Sequence, residues 1–383
     1  MRGTSVIEIK KSAVANNINF IRNIIGEQTR ISSVVKANAY GHGIDPFVPV
    51  AEECGIDHFS VFSAFEARQV YRLVKPSTSI MIMGWMNDED IEWAVKNEIE
   101  FYVFEIDKLK RALSYSIKLN KKAQIHIEVE TGMNRTGFRQ RNLERAVKLI
   151  RENAGHFIIK GLCTHYAGAE SVANYLRIHQ QISRFQRIHK WIEKQGITPE
   201  TLHTACSAAT ISYPKTRMDM VRIGIMQYGY WPSMETFIQY AHKKPHMEDP
   251  LQRVIRWKTE IMTVKEVNTG EFISYGTVYL ANEPKKIAII PVGYSLGYSR
   301  SLSNLGIVLI KGQRVKVIGL VNMNMLIADV SGIPNVKKND EVILIGSQGE
   351  NTITVASFSE FSNQMNYEIL SRLPGNIERI LVN

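Results

Sequence analysis

Between residues 30 and 224 the chain alternates strand-sized runs of apolar and β-branched residues with segments of helical period, and no long polar linker interrupts the series. The runs are "ISSVV", "HFSVF", "SIMIMG", "IEFYVF", "QIHIEV", "IIKGLCTH", "TLHTA" and "MVRIGI". Helical segments stand between them, among them "AFEARQVYRLV", "DEDIEWAVKN", "IDKLKRALSYSIKL", "RNLERAVKLIREN" and "SVANYLRIHQQISRFQRIHKWIEKQ". An earlier helix carries Val14, Ile18, Ile21 and Ile25 at helical spacing, with Ser12 placed to cap it and Gly26 to stop it. Eight strand candidates separated by helices predict an α/β chain with an N-terminal (β/α)8 TIM-like barrel, a doubly wound open sheet being the rival.

After about residue 240 the period changes. "VIRWKTEIMTVKEV", "KKIAIIPVGY", "GIVLIKGQRVKVIGLV" and "DEVILIG" read as strands separated by Gly- and Asn-containing turns, so a second, C-terminal domain is expected to be mainly β. "QYAHKKPHMEDP", polar and with two prolines, marks the boundary. His242 and His246 within it are four apart, but Pro245 between them argues against a helix, and no metal site is expected.

A hydrophobic content of 44% with 22% charged residues is that of a soluble globular chain. No apolar run reaches the ~18 residues of a membrane span. The N-terminal "MRGTSVIEIKKSA" alternates rather than forming a signal-peptide core, so a cytoplasmic protein is expected. Cys54, Cys163 and Cys206 are scattered, without the spacing of a zinc site or a disulfide framework. The formal charge of +10 is spread along the chain rather than gathered in a basic block, which speaks against nucleic acid and fits small anionic ligands.

Chemistry in such a barrel sits at the C-terminal ends of the strands. Those ends carry Lys36 with Tyr40 in "SSVVKANAYGHG", Arg135 in "ETGMNRTG", His165 in "CTHYAG", His203 and Ser207 in "HTACSAAT", and Arg222 with Gly224 in "VRIGI". Each alone has an ordinary explanation: a core histidine, an ion-pair partner, a helix cap. Together they form one cluster drawn from separate strands. A lysine desolvated at a strand end forms Schiff bases, and Ser207 with the amides around Gly224 suits a phosphate. A Schiff base and a phosphate point to pyridoxal 5'-phosphate.

"VVKANAYGHG" resembles the cofactor-lysine motif of the alanine racemases, fold-type III pyridoxal phosphate enzymes. "TGMNRTGF", "THYA", "HTACSAAT", "VRIGIMQYG", "ISYGTVY" and "IPVGYSLGYSR" are similar to that family's later signatures, in order and over essentially the whole chain. The resemblance implies residues 1–10 as a strand packing with the C-terminal domain, a cofactor-binding barrel over 11–240, a β domain over 241–383, and a homodimer with shared active sites. It implies an isomerase that interconverts L- and D-alanine, an amino-acid substrate, and a role in D-alanine supply for cell-wall precursors. Lys36 then carries the cofactor, and Tyr275 of the partner subunit is the opposing base. Racemisation needs a proton removed from one face of Cα and returned to the other, which two bases can do. Both must be tuned from free pKa values of about 10.

By the same resemblance Tyr40, Ser207, Gly224 and Ile225 hold the phosphate, Arg222 faces the pyridine nitrogen, and His165 lies close to the ring. Arg135 and the backbone at Met323 meet the substrate carboxylate. From pattern alone "FISYGTVYL" is an ordinary strand and Tyr275 a packing residue. The chain departs from the family pattern at Glu128, where a carbamylated lysine is common, and Glu128 is expected to hold Arg135. Asn322, Asn324, Leu296 and Ser371 are further departures, and Ser371 in place of a tyrosine is expected to admit substrates larger than alanine. The competing functions are a decarboxylase of the same architecture, whose cysteine and glycine-rich loop motifs are missing, and a non-catalytic cofactor carrier, which has no use for a second base.

Overall fold

The structure is a computed structural model, described over residues 3–242, 248–359 and 366–383. His246 therefore lies outside the described residues. An N-terminal strand β1 (Ser5–Lys10) is followed by β2 (Arg30–Val34), β3 (His58–Val61), β4 (Ser79–Ile82), β5 (Glu100–Val103), β6 (Ala123–Glu128), β7 (Phe157–Cys163), β8 (Thr201–His203) and β9 (Met220–Ile223). β2 to β9 form one parallel sheet in the order β8-β7-β6-β5-β4-β3-β2-β9. Because β2 pairs with β9, the sheet curls on itself. β8 and β9 nearly complete the circle through the Cys206–Arg222 bridge, with Arg222 N donating to Ala205 O at 2.9 Å. The barrel thus displaces the open sheet.

The helices follow the apolar period. Lys11–Ile25 buries Val14, Ile18, Ile21 and Ile25 and stops at Gly26, whose φ of +79° suits glycine. Ser12 lies inside this helix rather than capping it, because β1 runs straight into the first turn. Ala64–Tyr71 and Asp88–Lys96 start with capping boxes, Ser63 with Glu66 and Asn87 with Asp90.

The chain divides into two compact units. One holds Val14–Lys36 and Val48–Gln252, the other Met1–Ala13, Ala37–Phe47 and Arg253–Asn383. The second unit is built on β10 (Ile255–Glu260), β11 (Thr263–Val267), β12 (Lys285–Ile290), β13 (Ile307–Ile310), β14 (Gln313–Lys316), β15 (Leu326–Asp329), β16 (Glu341–Gln348), β17 (Asn351–Ile353) and β18 (Glu378–Val382). One sheet runs β14-β13-β16-β10-β1-β18, with β17 on β16, and another runs β11-β12-β15. β1 lies between an antiparallel β10 and a parallel β18, which buries Ile7 and Ile9 completely. On the same strand Glu8 accepts from Arg256 Nη1 at 2.8 Å and pairs with Lys258.

Ala37–Phe47, immediately after the lysine, starts with four left-handed residues, Ala37, Asn38, Ala39 and Tyr40, all with φ of 52–53°. For L-residues this costs roughly 1–2 kcal/mol each, so something must impose it. His42 Nδ1 donates back to the carbonyls of Tyr40 at 3.0 Å and Ala39 at 3.1 Å. Gly41 accepts from Arg379 Nε at 3.0 Å, and a Cβ on Gly41 would overlap the Leu370 carbonyl. Arg379 also donates to the carbonyls of Ile377 at 2.6 Å and Pro374 at 2.9 Å, so the chain's end clamps this turn.

Candidate functional site

Lys36 lies two residues past the end of the barrel's first strand, β2, on a backbone held from both sides. Val35 N donates to Ser60 O at 2.9 Å, while Val34 O accepts from Gln227 Nε2 and from Tyr228 Oη, each at 3.0 Å. Gln227 is itself fixed by Ser33 Oγ at 2.7 Å. Lys36 is half-buried, and loss of water lowers its pKa, helped by the guanidiniums of Arg135 and Arg222 and opposed by Glu66 and Cys206. The lysine is therefore shifted toward the neutral, nucleophilic amine.

Arg222 leaves β9 fully enclosed. Nη1 donates to His203 O at 2.7 Å and to His203 Nδ1 at 2.6 Å; Nη2 donates to Thr164 O at 2.7 Å and Thr204 O at 3.2 Å. An arginine keeps its proton under these conditions, so this is a fixed, buried cation. His165, just past the end of β7, is pushed down to about 3 by burial and by Arg222, Arg135 and Lys36, and it stays neutral. That shared influence draws Lys36, Arg135, His165 and Arg222 into one electrostatic neighbourhood. Ser207 opens the short helix Ser207–Ser212, and its Oγ accepts from Gly224 N at 3.0 Å. Ile225 follows in a buried 3-10 turn, so Ser207, Gly224 and Ile225 are contiguous.

Arg135 is exposed on the loop between β6 and the helix Gln140–Glu152. The Glu130 carboxylate folds that loop by accepting from Asn134 N at 2.7 Å and from Gly132 N. The expectation that Glu128 holds Arg135 is corrected: no ion pair joins them among the described residues. Glu128 is buried, its Oε2 has no hydrogen-bond partner, and burial raises its pKa. A carboxylate so placed acts on Arg135 through the field alone.

The remaining candidates lie in the β-rich unit. Tyr40 closes the left-handed turn, its ring 6.1 Å from that of Tyr367. Tyr275 is not in a strand. Ile273 N bonds Tyr279 O at 3.0 Å, and Ser274 and Gly276 at φ of +72° and +67° bend the chain into a loop that leaves Tyr275 71% exposed. Within this chain Tyr275 is therefore not a core residue. Ser274 Oγ donates to Leu320 O at 2.8 Å and to Asn322 Oδ1 at 3.2 Å, tying this loop to the turn that carries Met323. Asn322 N bonds Met325 O at 2.8 Å across that turn, and Ser295 Oγ donates to Asn324 Oδ1 at 2.7 Å. Of the two asparagines that depart from the family pattern, Asn322 is thus a structural partner of the tyrosine loop and Asn324 of Ser295. Ser371 ends the helix Asn366–Ser371 with Oγ donating to Glu368 O at 3.2 Å, and Leu296 sits in a half-buried 3-10 turn.

Sequence reasoning missed a polar interior. Ser32, His58, Glu100 and His126 sit inside apolar strand runs, yet all four are buried and hydrogen-bonded. Polar residues at alternating positions of "HFSV", "EFYV" and "QIHIE" are the signal. His58, Glu100 and His126 could together surround a metal ion, but their atoms already satisfy one another at 2.8–3.1 Å. Among the described residues no helix is long and apolar enough to cross a membrane.

Comparison with known proteins gives consistent matches. Residues 9–232 match the alanine racemase N-terminal domain model, and residues 254–381 match the C-terminal one. Alanine racemases of Leptospira interrogans and Halothermothrix orenii are 32% and 36% identical over 380 and 375 residues, or 99% and 97% of this chain and 96% and 95% of theirs. Among solved structures, a Bacillus anthracis alanine racemase with bound L-Ala-P superposes with a TM-score of 0.89 at 30% identity, covering 100% of this chain and 96% of that one. A Bartonella henselae alanine racemase with covalently bound pyridoxal phosphate gives 0.84 at 25% identity, covering 99% and 100%.

Proposed function

Because the chain belongs to the alanine racemase family, we propose that it is an isomerase that interconverts L- and D-alanine with pyridoxal 5'-phosphate. The observation that carries this is Lys36: a half-buried lysine at a barrel strand end, its amine shifted toward neutrality with two guanidiniums in its field. The donor set fits the cofactor. The Lys36 amine suits a carbonyl partner; Ser207, whose oxygen already accepts from Gly224, has its hydroxyl proton to give to a phosphate. When bound, pyridoxal phosphate supplies the electron sink that acidifies the Cα–H of an amino acid.

The chain's own residues do the rest. Lys36 moves a proton at Nζ on one face of Cα, and Tyr275 of the partner subunit moves one at Oη on the other. The 71% exposure of Tyr275 supports this reading, since it leaves the ring accessible to a second copy. Arg222, unable to release a proton, would hold the ring nitrogen without protonating it, which would leave the bound cofactor a weaker electron sink. Tyr40 and Ile225 complete the phosphate contacts. Arg135 binds the substrate carboxylate, as does the Met323 backbone, on a turn whose side chain is 55% exposed. His165, neutral down to about pH 3, packs by the ring without adding charge.

The enzyme is proposed to work as a cytoplasmic homodimer, with the strand over 1–10, barrel over 11–240 and β domain over 241–383 set out above. A broader substrate range is the second reading, favoured by Ser371, whose hydroxyl turns back onto Glu368 O and leaves no ring at that position. The test is a chiral assay of the purified protein with pyridoxal phosphate against a panel of L-amino acids. Racemisation led by alanine and abolished by Lys36→Ala is expected. A larger amino acid leading the panel would replace alanine as the substrate, and carbon dioxide release in place of racemisation would replace the reaction.

A further inference from the structure

Inside the barrel a single file of hydrogen bonds runs from Arg222 across the interior. Arg222 Nη1 meets His203 Nδ1 at 2.6 Å, His203 Nε2 meets His126 Nδ1 at 2.9 Å, and His126 Nε2 meets Glu100 Oε2 at 2.8 Å. From Glu100 the file continues to His58 Nε2 at 3.1 Å, from His58 Nδ1 to Ser32 Oγ at 2.9 Å, and on to Ser60 Oγ. Every member is buried.

The direction of each bond in this file follows from its two ends. A guanidinium only donates, so His203 Nδ1 must carry a lone pair and its proton must sit on Nε2. That proton points at His126 Nδ1, which must then accept, placing the His126 proton on Nε2 and aiming it at Glu100. A carboxylate only accepts, and Glu100 Oε2 receives a second donor, His58 Nε2–H. His58 Nδ1 then accepts from Ser32. Two neutral imidazoles thus join a buried cation to a buried anion with one consistent polarity. Burial pushes both imidazoles down, while Glu100, despite burial, is held well below the usual carboxylate range by His126 and His58. The backbone makes room for this file: a Cβ on Gly161 would overlap His126 Nδ1 and come within 2.8 Å of His203 Nε2.

Among the described residues no carboxylate lies within ion-pair distance of Arg222. Glu128 bears on it through the field without a bond, and the carboxylate joined to it by hydrogen bonds is Glu100, two imidazoles away. We propose that Glu100 is a positioning residue for Arg222, a buried carboxylate that sets the tautomers of His126 and His203 and so fixes and polarises the guanidinium. This rests on the reading that Arg222 faces the cofactor's ring nitrogen.

The substitution Glu100→Gln keeps the shape and removes the charge. Its amide oxygen, with two lone pairs, can take the place of Oε2 and accept both Nε2–H groups, so the variant removes the counter-charge rather than the bonds. The first measurement uses the full chain labelled with 15N-histidine and no activity readout. The wild type should show neutral His203 and His126 carrying Nε2–H; an Nδ1–H form of His203 would overturn the proposal. In the holoenzyme, Glu100→Gln should lower kcat about tenfold, the low end of the loss for a directly bonded partner because Glu100 stands three hydrogen bonds from Arg222, with KM for the amino acid within about twofold, as the groups that bind substrate are untouched. Arg222→Lys should shift the absorbance of the bound cofactor, and adding Glu100→Gln to it should cost nothing more. Independent, multiplying losses, or an unchanged kcat in Glu100→Gln, would refute the coupling. A silent Arg222→Lys would instead remove the reading of Arg222, and the role given to Glu100 with it, even with the tautomers as assigned. If Glu100→Gln does not fold, Gly161→Ala interrupts the file between the two imidazoles with every charge in place and is expected to give the same kcat loss.

Discussion

Glycine in a helical turn ordinarily weakens it, yet Ala37→Gly is expected to stabilise this protein. Ala37 is the first of the left-handed residues after Lys36, and its side chain is exposed, so removing the methyl opens no cavity. Relief of the Cβ clash is worth roughly 1–2 kcal/mol. Extra freedom in the unfolded chain takes back about 0.4–1 kcal/mol. The net gain is about 0.8 kcal/mol, within a range of about 0–1.6, or on the order of 1 °C in Tm for a chain of 383 residues. Ala15→Gly, within the right-handed helix Lys11–Ile25, is the control and should lose about 1 kcal/mol. Urea unfolding followed by tryptophan fluorescence compares the midpoints. The same substitution loosens the backbone that aims Lys36, so kcat should fall while stability rises. Ala37→Gly moving the midpoint in the same direction as Ala15→Gly would refute the strain argument.

Tyr275→Phe should lower racemisation by roughly 10²–10⁴-fold, and because it removes only a hydroxyl and keeps the ring the melting temperature should stay put; a chiral assay beside thermal melting checks both. Acid should destabilise the apo protein below about pH 6.5. His42 is fully buried and, chiefly through burial, pushed down to about 4, so between these pH values the unfolded chain binds the extra proton and the folded one does not. Stability then falls with pH at a slope approaching about 1.4 kcal/mol per unit for each such group. His165, pushed down to about 3, extends the decline. Urea midpoints from pH 7 to 4 should show a shallower fall in His42→Gln; an unchanged slope would assign the acid sensitivity elsewhere.

The barrel is legible in the sequence because strand and helix periods are local signals and each apolar run is long enough to read. Ile106–Leu119 matches its sequence segment end to end. Leu326–Asp329 and Glu378–Val382 do not stand out as strands, being short and dependent on distant partners, β12 and β1. Ser12 misleads because a capping residue type says nothing about a strand feeding directly into a helix. Lys36, His165, Ser207 and Arg222 are legible as polar residues at strand ends. Glu100 and His58 are not, since a polar residue within a strand run reads as outward-facing unless the partners that satisfy it are known. Tyr275 reads as strand from its β-branched and aromatic neighbours, while the positive φ of Ser274 and Gly276 depends on the Leu320 and Asn322 contacts.

The clamp on the turn after Lys36 also orders events in time. Arg379 and Gly41 are 338 residues apart in the chain. At a synthesis rate of roughly 5–20 residues per second, Gly41 waits about 20–70 s before Arg379 exists. Throughout that interval a growing polypeptide can complete every barrel strand and still lack the brace on the turn that follows Lys36. The turn after Lys36 therefore takes its braced form late, only once the Arg379 side chain can reach the Gly41 carbonyl.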